Sequence, residues 1–127
     1  MALNILIVDD SATTRAIIAK TLDMAQIPIG KLGEAANGQE ALDMLDKDWF
    51  DLVFTDLHMP VMNGIELVRQ MHSKDLLNMT PVVVISSEGG KDRIDQLMEW
   101  GVRAYIRKPF TPEKMTSVIH EMVGEKI

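Results

Sequence analysis

Residues 3–10 read Leu-Asn-Ile-Leu-Ile-Val-Asp-Asp, in which the apolar run of residues 5–8 is followed directly by two carboxylates. Two later runs are also continuously apolar: residues 52–54, Leu-Val-Phe, and residues 82–85, Val-Val-Val-Ile. A strand with one solvated face alternates apolar and polar residues, whereas a strand buried on both faces reads as one apolar run. These runs therefore predict a parallel sheet that is covered by helices.

Short β-rich segments alternate with helical segments along the whole chain. Strands are predicted at Leu3–Val8, Leu32–Ala36, Asp51–Thr55, Pro81–Ser86 and Ala104–Ile106. Near the C-terminus, apolar residues recur at the spacing of one helix face: Met115, Val118, Ile119 and Met122. Five β/α units predict an α/β fold with a doubly wound open sheet. At 127 residues, the chain has the size of one domain, residues 1–127.

Two helix starts carry clear signals. Thr111 can cap the last helix, and Pro112 suits its first position because the ring of proline fixes a helical φ. Asn37 followed by Glu40 resembles a capping box, in which each residue satisfies a backbone N–H of the other. Both signals place helices directly after predicted strands.

Composition excludes several classes of function. The net charge is −6, which disfavours binding to nucleic acid or to an anionic membrane surface. The chain has no cysteine, so disulfides, thiolate metal sites and cysteine nucleophiles are excluded. The first apolar run is too short to span a bilayer and lacks the features of a signal peptide. We expect a cytoplasmic protein with no membrane insertion.

Polar residues follow the predicted strands at informative places. Asp9 and Asp10 follow the first strand, Asp56 ends the third, Ser86 ends the fourth and Lys108 follows the fifth. The carboxyl ends of parallel strands meet at one edge of an open sheet, where such folds bind their ligands. The sequence therefore predicts three carboxylates, a hydroxyl and an ammonium group at a single edge.

Each of these residues alone is most simply a turn residue, a helix cap or a surface charge. Together they are harder to explain, because three clustered carboxylates repel one another unless a cation joins them. A hard ion such as Mg²⁺, or Mn²⁺, suits oxygen ligands and commonly binds together with phosphate oxygens. Lys108 can then face the same phosphoryl group as a point charge, with Ser86 as a hydrogen-bond donor. The set favours phosphoryl chemistry.

These residues resemble the receiver domains of bacterial response regulators, the CheY-like fold of two-component signalling, from end to end. The matching pieces are Ile7-Val8-Asp9-Asp10, Asp56 followed by Met59-Pro60 and Gly64, Ser86, and Lys108-Pro109-Phe110. The stretch from Asp9 to Arg15 is similar to the chemotaxis branch of the family. The resemblance implies a flavodoxin-like sheet with strand order 2-1-3-4-5.

The resemblance also implies a role for each residue of the site. Asp56 is expected to accept the phosphoryl group of a phosphohistidine donor on a sensor histidine kinase or phosphotransfer domain. Asp10 and Asp56 are expected to ligate Mg²⁺ directly, Asp9 through water, and His58 through its backbone carbonyl. Lys108 pairs with a phosphoryl oxygen, and the Lys108–Pro109 bond is expected to be cis.

Phosphorylation is expected to change the conformation of one surface of the domain. Ser86 is expected to move toward the phosphoryl group while Tyr105 turns inward, which alters the surface of the fourth helix, fifth strand and fifth helix. That surface would bind a downstream target protein. His58, Ser87 and Glu88 are expected at the rim of the pocket, where His58 and Glu88 could restrict the attacking water. The alternative interpretation, which the sequence supports equally well, is that His58 and Glu88 are exposed polar residues whose side chains do not contact each other.

Several alternatives stay open. A flavin- or nucleotide-binding enzyme would need a glycine-rich or hydroxyl-rich loop after the first strand, where this chain has two aspartates. A binding module that acts without phosphorylation, or a phosphate sink, is the main alternative to a switch. We expect no conventional enzymatic turnover and a monomer, with a dimer through the fourth helix as the rival. The kinase and the target are not evident from the sequence.

Overall fold

The computed structural model describes residues 2–87 and 90–123. Five strands are present: β1 (Leu3–Val8), β2 (Ile29–Ala35), β3 (Leu52–Thr55), β4 (Val82–Ser86) and β5 (Ala104–Arg107). Five helices alternate with them: α1 (Ala12–Met24), α2 (Gly38–Lys47), α3 (Gly64–Ser73), α4 (Lys91–Trp100) and α5 (Pro112–Val123). The observed element order is the predicted series of five β/α units.

The strands form one parallel sheet in the order β2-β1-β3-β4-β5, which confirms the predicted fold and strand order. In the central pair, Ile5 lies opposite Leu52 and Val8 lies opposite Thr55. This register brings the carboxyl ends of β1 and β3 level with each other. The residues that follow the two strands consequently emerge side by side.

The sheet separates two hydrophobic layers, because successive side chains of a strand point to opposite faces. On one face, Leu6 and Val8 pack with residues of α2, α3 and α4. On the other face, Ile5 and Ile7 pack with residues of α1 and α5. The central strands are thus buried on both sides, as their continuous apolar sequences predicted.

The predicted strand boundaries lie within one residue of the observed ones except at the start of β2. β2 begins at Ile29, three residues before the predicted start at Leu32. Gly30 and Lys31 are exposed on this edge strand, so they lack the apolar and β-branched character by which strands are recognised. Pairing with β1 holds them in the sheet, and the register shifts between Leu3 and Asn4.

Both predicted helix caps are present. The Thr111 hydroxyl accepts a hydrogen bond from the backbone N–H of Lys114 at 3.1 Å. Asn37 Oδ1 accepts from the N–H of Glu40 at 2.9 Å, but the backbone N–H that donates to the Glu40 carboxylate is that of Ala36 rather than that of Asn37. The return bond of the capping box therefore reaches one residue further back than the motif predicts.

Trp100 ends α4 and packs, partly buried, against the layer under α2, α3 and α4. Its ring stacks on His72 of α3, with the centroids 6.4 Å apart. Packing is thus the observed role of this tryptophan. Within the described residues, no helix has the length and apolar content that a bilayer crossing requires.

Candidate functional site

Three aspartates meet at the carboxyl edge of the sheet. Asp9 and Asp10 follow β1 and Asp56 follows β3, and a carboxylate oxygen from each lies within 4.8 Å of the others. Asp9 is buried, Asp56 is partly buried and Asp10 is exposed. We call these three residues the acidic cluster. Its formation follows directly from the pairing of β1 with β3.

Backbone contacts fix the position of Asp56. Its N–H donates to the carbonyl of Val8 at 3.0 Å, and its Oδ1 accepts from the N–H of Leu57 at 2.7 Å. Helix α3 then starts very close by, since the N–H of Gly64 donates to the carbonyl of Leu57. A Cβ at Gly64 would lie only 2.0 Å from the carbonyl oxygen of Asp56, so this approach requires glycine.

Asp9 is held at both its backbone and its side chain. Its N–H donates to the carbonyl of Ala35 at 3.0 Å, which continues the β1–β2 ladder. Its Oδ1 accepts from the N–H of Ser11 at 2.9 Å, and Ser11 in turn caps α1 through the N–H of Thr14. The carboxylate is therefore oriented by the start of the helix that follows it.

Lys108 follows β5 and faces the acidic cluster at the same edge of the sheet. Its Nζ lies 3.4 Å from Oδ2 of Asp9 and 3.6 Å from Oδ2 of Asp56. The backbone N–H of Lys108 donates to the carbonyl of Ser86, and the Lys108–Pro109 bond is cis, as expected. The structure thus brings together the three carboxylates and the ammonium group that the sequence placed at one edge.

The remaining predicted site residues differ in exposure. Ser86 is buried at the end of β4, whereas Ser87 and His58 are exposed. Tyr105 packs against the layer under α2, α3 and α4, and its hydroxyl is buried with no hydrogen-bond partner among the described residues. Glu88 lies outside the described residues.

The acidic cluster fits a hard divalent cation. It offers carboxylate oxygens from three residues and no nitrogen or sulfur ligand, which is the donor chemistry that Mg²⁺ and Mn²⁺ prefer. Lys108 offsets only part of the negative charge of the three carboxylates. The residues that would hold the ion are Asp9, Asp10 and Asp56.

One contact at this edge was not anticipated from the sequence. Arg15 donates from Nη1 to the backbone carbonyl of Asp9 at 2.6 Å and from Nε to Oε1 of Glu34 at 2.9 Å. In the sequence, Arg15 belongs to the stretch that is similar to the chemotaxis branch, and no motif includes Glu34. Their pairing depends on β2 lying beside β1, which local sequence patterns do not encode.

The response regulator receiver domain model matches residues 5–120 of this chain. The chain belongs to the response regulator receiver family. Receiver domains act in two-component signalling, so the family implied by the sequence motifs is confirmed.

Named relatives of this receiver are chemotaxis proteins. It is 36% identical over 123 residues to a CheY homolog of Campylobacter jejuni, a match that covers 96% of this chain and 93% of the relative. It is also 36% identical over 125 residues to CheY of Pseudomonas aeruginosa, covering 98% of each chain. These relatives support a response regulator of the chemotaxis type.

Solved receiver structures share the fold. The chemotaxis protein CheY4 of Vibrio cholerae superimposes with a TM-score of 0.83 at 29% identity, covering 96% of this chain and 99% of that chain. A CheY-like receiver domain from Methanospirillum hungatei gives a TM-score of 0.85 at 25% identity, covering 98% and 96% respectively. The likeness extends over almost the whole of each chain.

Proposed function

We propose that this receiver is a phosphoacceptor switch in which Asp56 accepts a phosphoryl group beside a bound Mg²⁺ ion. The observation that carries the proposal is the acidic cluster with Lys108 at 3.4 and 3.6 Å from two of its carboxylates. Three carboxylates that can hold a divalent cation, with an ammonium beside them at the ligand-binding edge of a parallel sheet, suit the binding of an incoming phosphoryl group, because the cation and the ammonium would neutralise its charge.

Asp56 is the nucleophile in this proposal. A carboxylate oxygen of Asp56 forms a bond to phosphorus while the bond from phosphorus to the imidazole nitrogen of a phosphohistidine donor breaks. The electron pair of that bond leaves with the imidazole, and the product on Asp56 is a mixed anhydride. The N–H of Leu57, bonded to Oδ1, orients the carboxylate for this attack.

Asp9, Asp10 and the backbone carbonyl of His58 complete the proposed metal ligands around Asp56. When bound, Mg²⁺ would supply neutralisation of the phosphoryl oxygens. Lys108 would exchange its contact with Asp56 for a phosphoryl oxygen. The 3.6 Å separation between Nζ and Oδ2 of Asp56 leaves the ammonium close enough for that exchange without a change in the backbone.

The proposed output depends on Ser86 and Tyr105. Ser86 is buried at the end of β4 and would donate to the new phosphoryl oxygens. Tyr105 already packs against the layer under α2, α3 and α4 with its hydroxyl buried, so the proposed inward turn would start from a side chain that is already partly inward. Movement of both would reshape the surface formed by α4, β5 and α5.

A pocket rim of His58, Ser87 and Glu88 is proposed to control how fast water removes the phosphoryl group. His58 and Ser87 are exposed next to the elements that carry Asp56 and Ser86. Dephosphorylation rates of His58→Asn and Glu88→Ala, compared with the parent protein, test this role. Unchanged rates in both variants would remove these side chains from the mechanism.

The proposed partners follow from the switch. A sensor histidine kinase or phosphotransfer domain would supply the phosphoryl group, and a target protein would bind the α4-β5-α5 surface. The chemotaxis names of the relatives favour a target in that pathway. We further propose that residues 1–127 act as one monomeric receiver domain without conventional enzymatic turnover and without a nucleic-acid partner.

Intact mass after incubation with acetyl phosphate and Mg²⁺ tests the proposed function. The parent is expected to gain one phosphoryl group in a reaction that requires Mg²⁺, and Asp56→Asn is expected to gain none. Asp46→Asn, which changes an exposed carboxyl group of α2, is the matched control and should label like the parent. A folded parent that is never labelled would instead favour a binding module that acts without phosphorylation.

The same measurement separates the switch from a phosphate sink when a target is added. A switch binds its target more tightly once Asp56 is phosphorylated, whereas a sink is labelled and hydrolysed with no change in target binding. Labelling without any effect on a physiological target would therefore support the phosphate-sink alternative.

A further inference from the structure

Arg15 lies beside the acidic cluster without forming an ion pair with it. Its Nε donates to Oε1 of Glu34 at 2.9 Å, and its Nη1 donates to the backbone carbonyl of Asp9 at 2.6 Å. The side chain of Arg15 is 17% exposed, so water screens it only in part. Within the part of the chain that the structure describes, no carboxylate of the acidic cluster lies within ion-pair distance of this guanidinium.

This arrangement calls for a physical reason, because a guanidinium fork binds carboxylates in preference to neutral carbonyls. Three carboxylates lie at the same edge of the sheet. The carboxylate of Asp9 is engaged elsewhere, with Oδ1 on the N–H of Ser11 and Oδ2 facing Lys108. Glu34 provides the competing anion, since it stands near the end of β2 opposite Ile7 of β1.

We propose that Glu34 is a positioning residue that holds the Arg15 guanidinium on the Asp9 carbonyl and thereby keeps a second cation away from the carboxylates of the metal site. This inference rests on the Mg²⁺ site of the proposed function. The acidic cluster and Lys108 together carry a formal charge of about −2, the complement of one divalent ion. A guanidinium released onto the carboxylates would reduce that charge to about −1 and would occupy oxygens that the metal needs.

The Arg15 contact also has a structural benefit for the same site. Its hydrogen bond to the Asp9 carbonyl ties the first turn of α1 to the end of β1, between the two adjacent aspartates of the cluster. The bond to Glu34 ties that turn to β2 as well. Glu34 thus determines where the Arg15 guanidinium lies, although Glu34 is itself half exposed and is not a metal ligand in the proposed site.

Isothermal titration calorimetry of Mg²⁺ binding to the full chain tests this role without any phosphorylation. Glu34→Gln is expected to raise the Kd for Mg²⁺ about fivefold, the size of one charge interaction that is screened by water. The double variant Arg15→Gln, Glu34→Gln removes the released cation and is expected to return the Kd to within about twofold of the parent. Asp46→Asn removes the same charge from an exposed position of α2 and should leave the Kd unchanged.

The outcomes distinguish this inference from the proposed function. A parent that binds no Mg²⁺ overturns the proposed function, whereas a parent that binds Mg²⁺ with the same Kd as Glu34→Gln overturns only the role of Glu34. A double variant as weak as Glu34→Gln also overturns it, because the loss would then not come from the released guanidinium.

A measurement on the parent protein avoids any effect of substitution on folding. The Nε–H signal of Arg15 in the nuclear magnetic resonance spectrum should be protected from exchange with water both without and with Mg²⁺, since its bond to Glu34 is independent of the metal. Rapid exchange of this proton in the metal-free protein would show that Glu34 does not hold Arg15, and would overturn the proposal.

Discussion

The ammonium nitrogen of Lys108 lies 3.6 Å from Oδ2 of Asp56, so the proposed phosphoacceptor is paired with a cation before any phosphoryl group arrives. The same nitrogen lies 3.4 Å from Oδ2 of Asp9. Lys108 therefore stands in for part of the charge that a metal ion would contribute. Its two prospective roles, as a competitor of the metal and as a partner of the phosphoryl group, should separate on substitution.

Lys108→Met is expected to bind Mg²⁺ about fivefold more tightly, because the carboxylates lose a competing cation. It should accept a phosphoryl group from acetyl phosphate at least about tenfold more slowly, because the charge that develops on the phosphoryl oxygens loses its partner. Calorimetry and intact mass measure the two effects. Lys114→Met, on the exposed side of α5, is the control, and a labelling rate equal to the parent in Lys108→Met would contradict the role of this lysine.

Gly64→Ala is expected to destabilise the fold by about 3 kcal/mol, because the new Cβ would meet backbone atoms that cannot move independently. The nearest atom is the carbonyl oxygen of Asp56 at 2.0 Å. Urea unfolding measures the change. Gly90→Ala is the control, since a Cβ there would meet no described atom within 4 Å, and it should cost less than about 1 kcal/mol. Equal stability of the two variants would contradict the close approach of α3 to Asp56.

Val61→Asn is expected to stabilise the protein by about 1 kcal/mol. Val61 has φ 65°, in the left-handed region, and it is the central residue of a three-residue turn closed by a bond from the N–H of Met62 to the carbonyl of Pro60. Its side chain is 84% exposed, so little packing is lost on replacement. Val61→Thr keeps the branched Cβ and should unfold like the parent, whereas destabilisation by asparagine would contradict backbone strain at this turn.

Hydrogen bonds from Arg69 and Gln70 lower the pKa of Glu66 below its ordinary value of 4.5, and the Arg69 bond is the larger cause. A carboxyl group with a lowered pKa contributes stability above its ordinary pKa, and that contribution is lost as the pH falls through the lower folded value. Arg69→Gln should therefore raise the pKa of Glu66, as followed by nuclear magnetic resonance. The free energies of unfolding of this variant and of the parent should differ above the ordinary pKa of Glu66 and converge as the pH falls below the lowered pKa. A Glu66 titration that is the same in both proteins would contradict this pairing.

Much of the fold could be predicted because strands that are buried on both faces have continuously apolar sequences. Residues 5–8 and 82–85 are all apolar residues that a two-sided core accepts, and they lie within the observed strands β1 and β4. The start of β2 was wrong because an exposed edge strand can contain Gly30 and Lys31 without loss of core packing. The strand order came from the family resemblance, because periodicity alone does not determine which strands are neighbours.

The meeting of Asp9, Asp10 and Asp56 could be predicted for a topological reason. Parallel strands all end at the same edge, so residues that follow adjacent strands converge whatever their separation in sequence. The contacts of Arg15 could not be predicted in this way, because they depend on the conformations of long side chains and on the register between β1 and β2. The chemical roles of Asp56, Ser86, Lys108 and the other site residues remain predictions.

Lys108 and Asp9 are separated by 99 positions along the chain, yet their side chains contact each other. Such a contact requires the chain to close a long loop, and the entropy cost of that closure precedes any free energy that the contact contributes. β5 and the lysine that follows it must join β4 before the charge at the edge of the sheet is balanced. Competence for phosphorylation would therefore arise with the completed fold, so that a partly folded copy would be unable to compete for the phosphodonor.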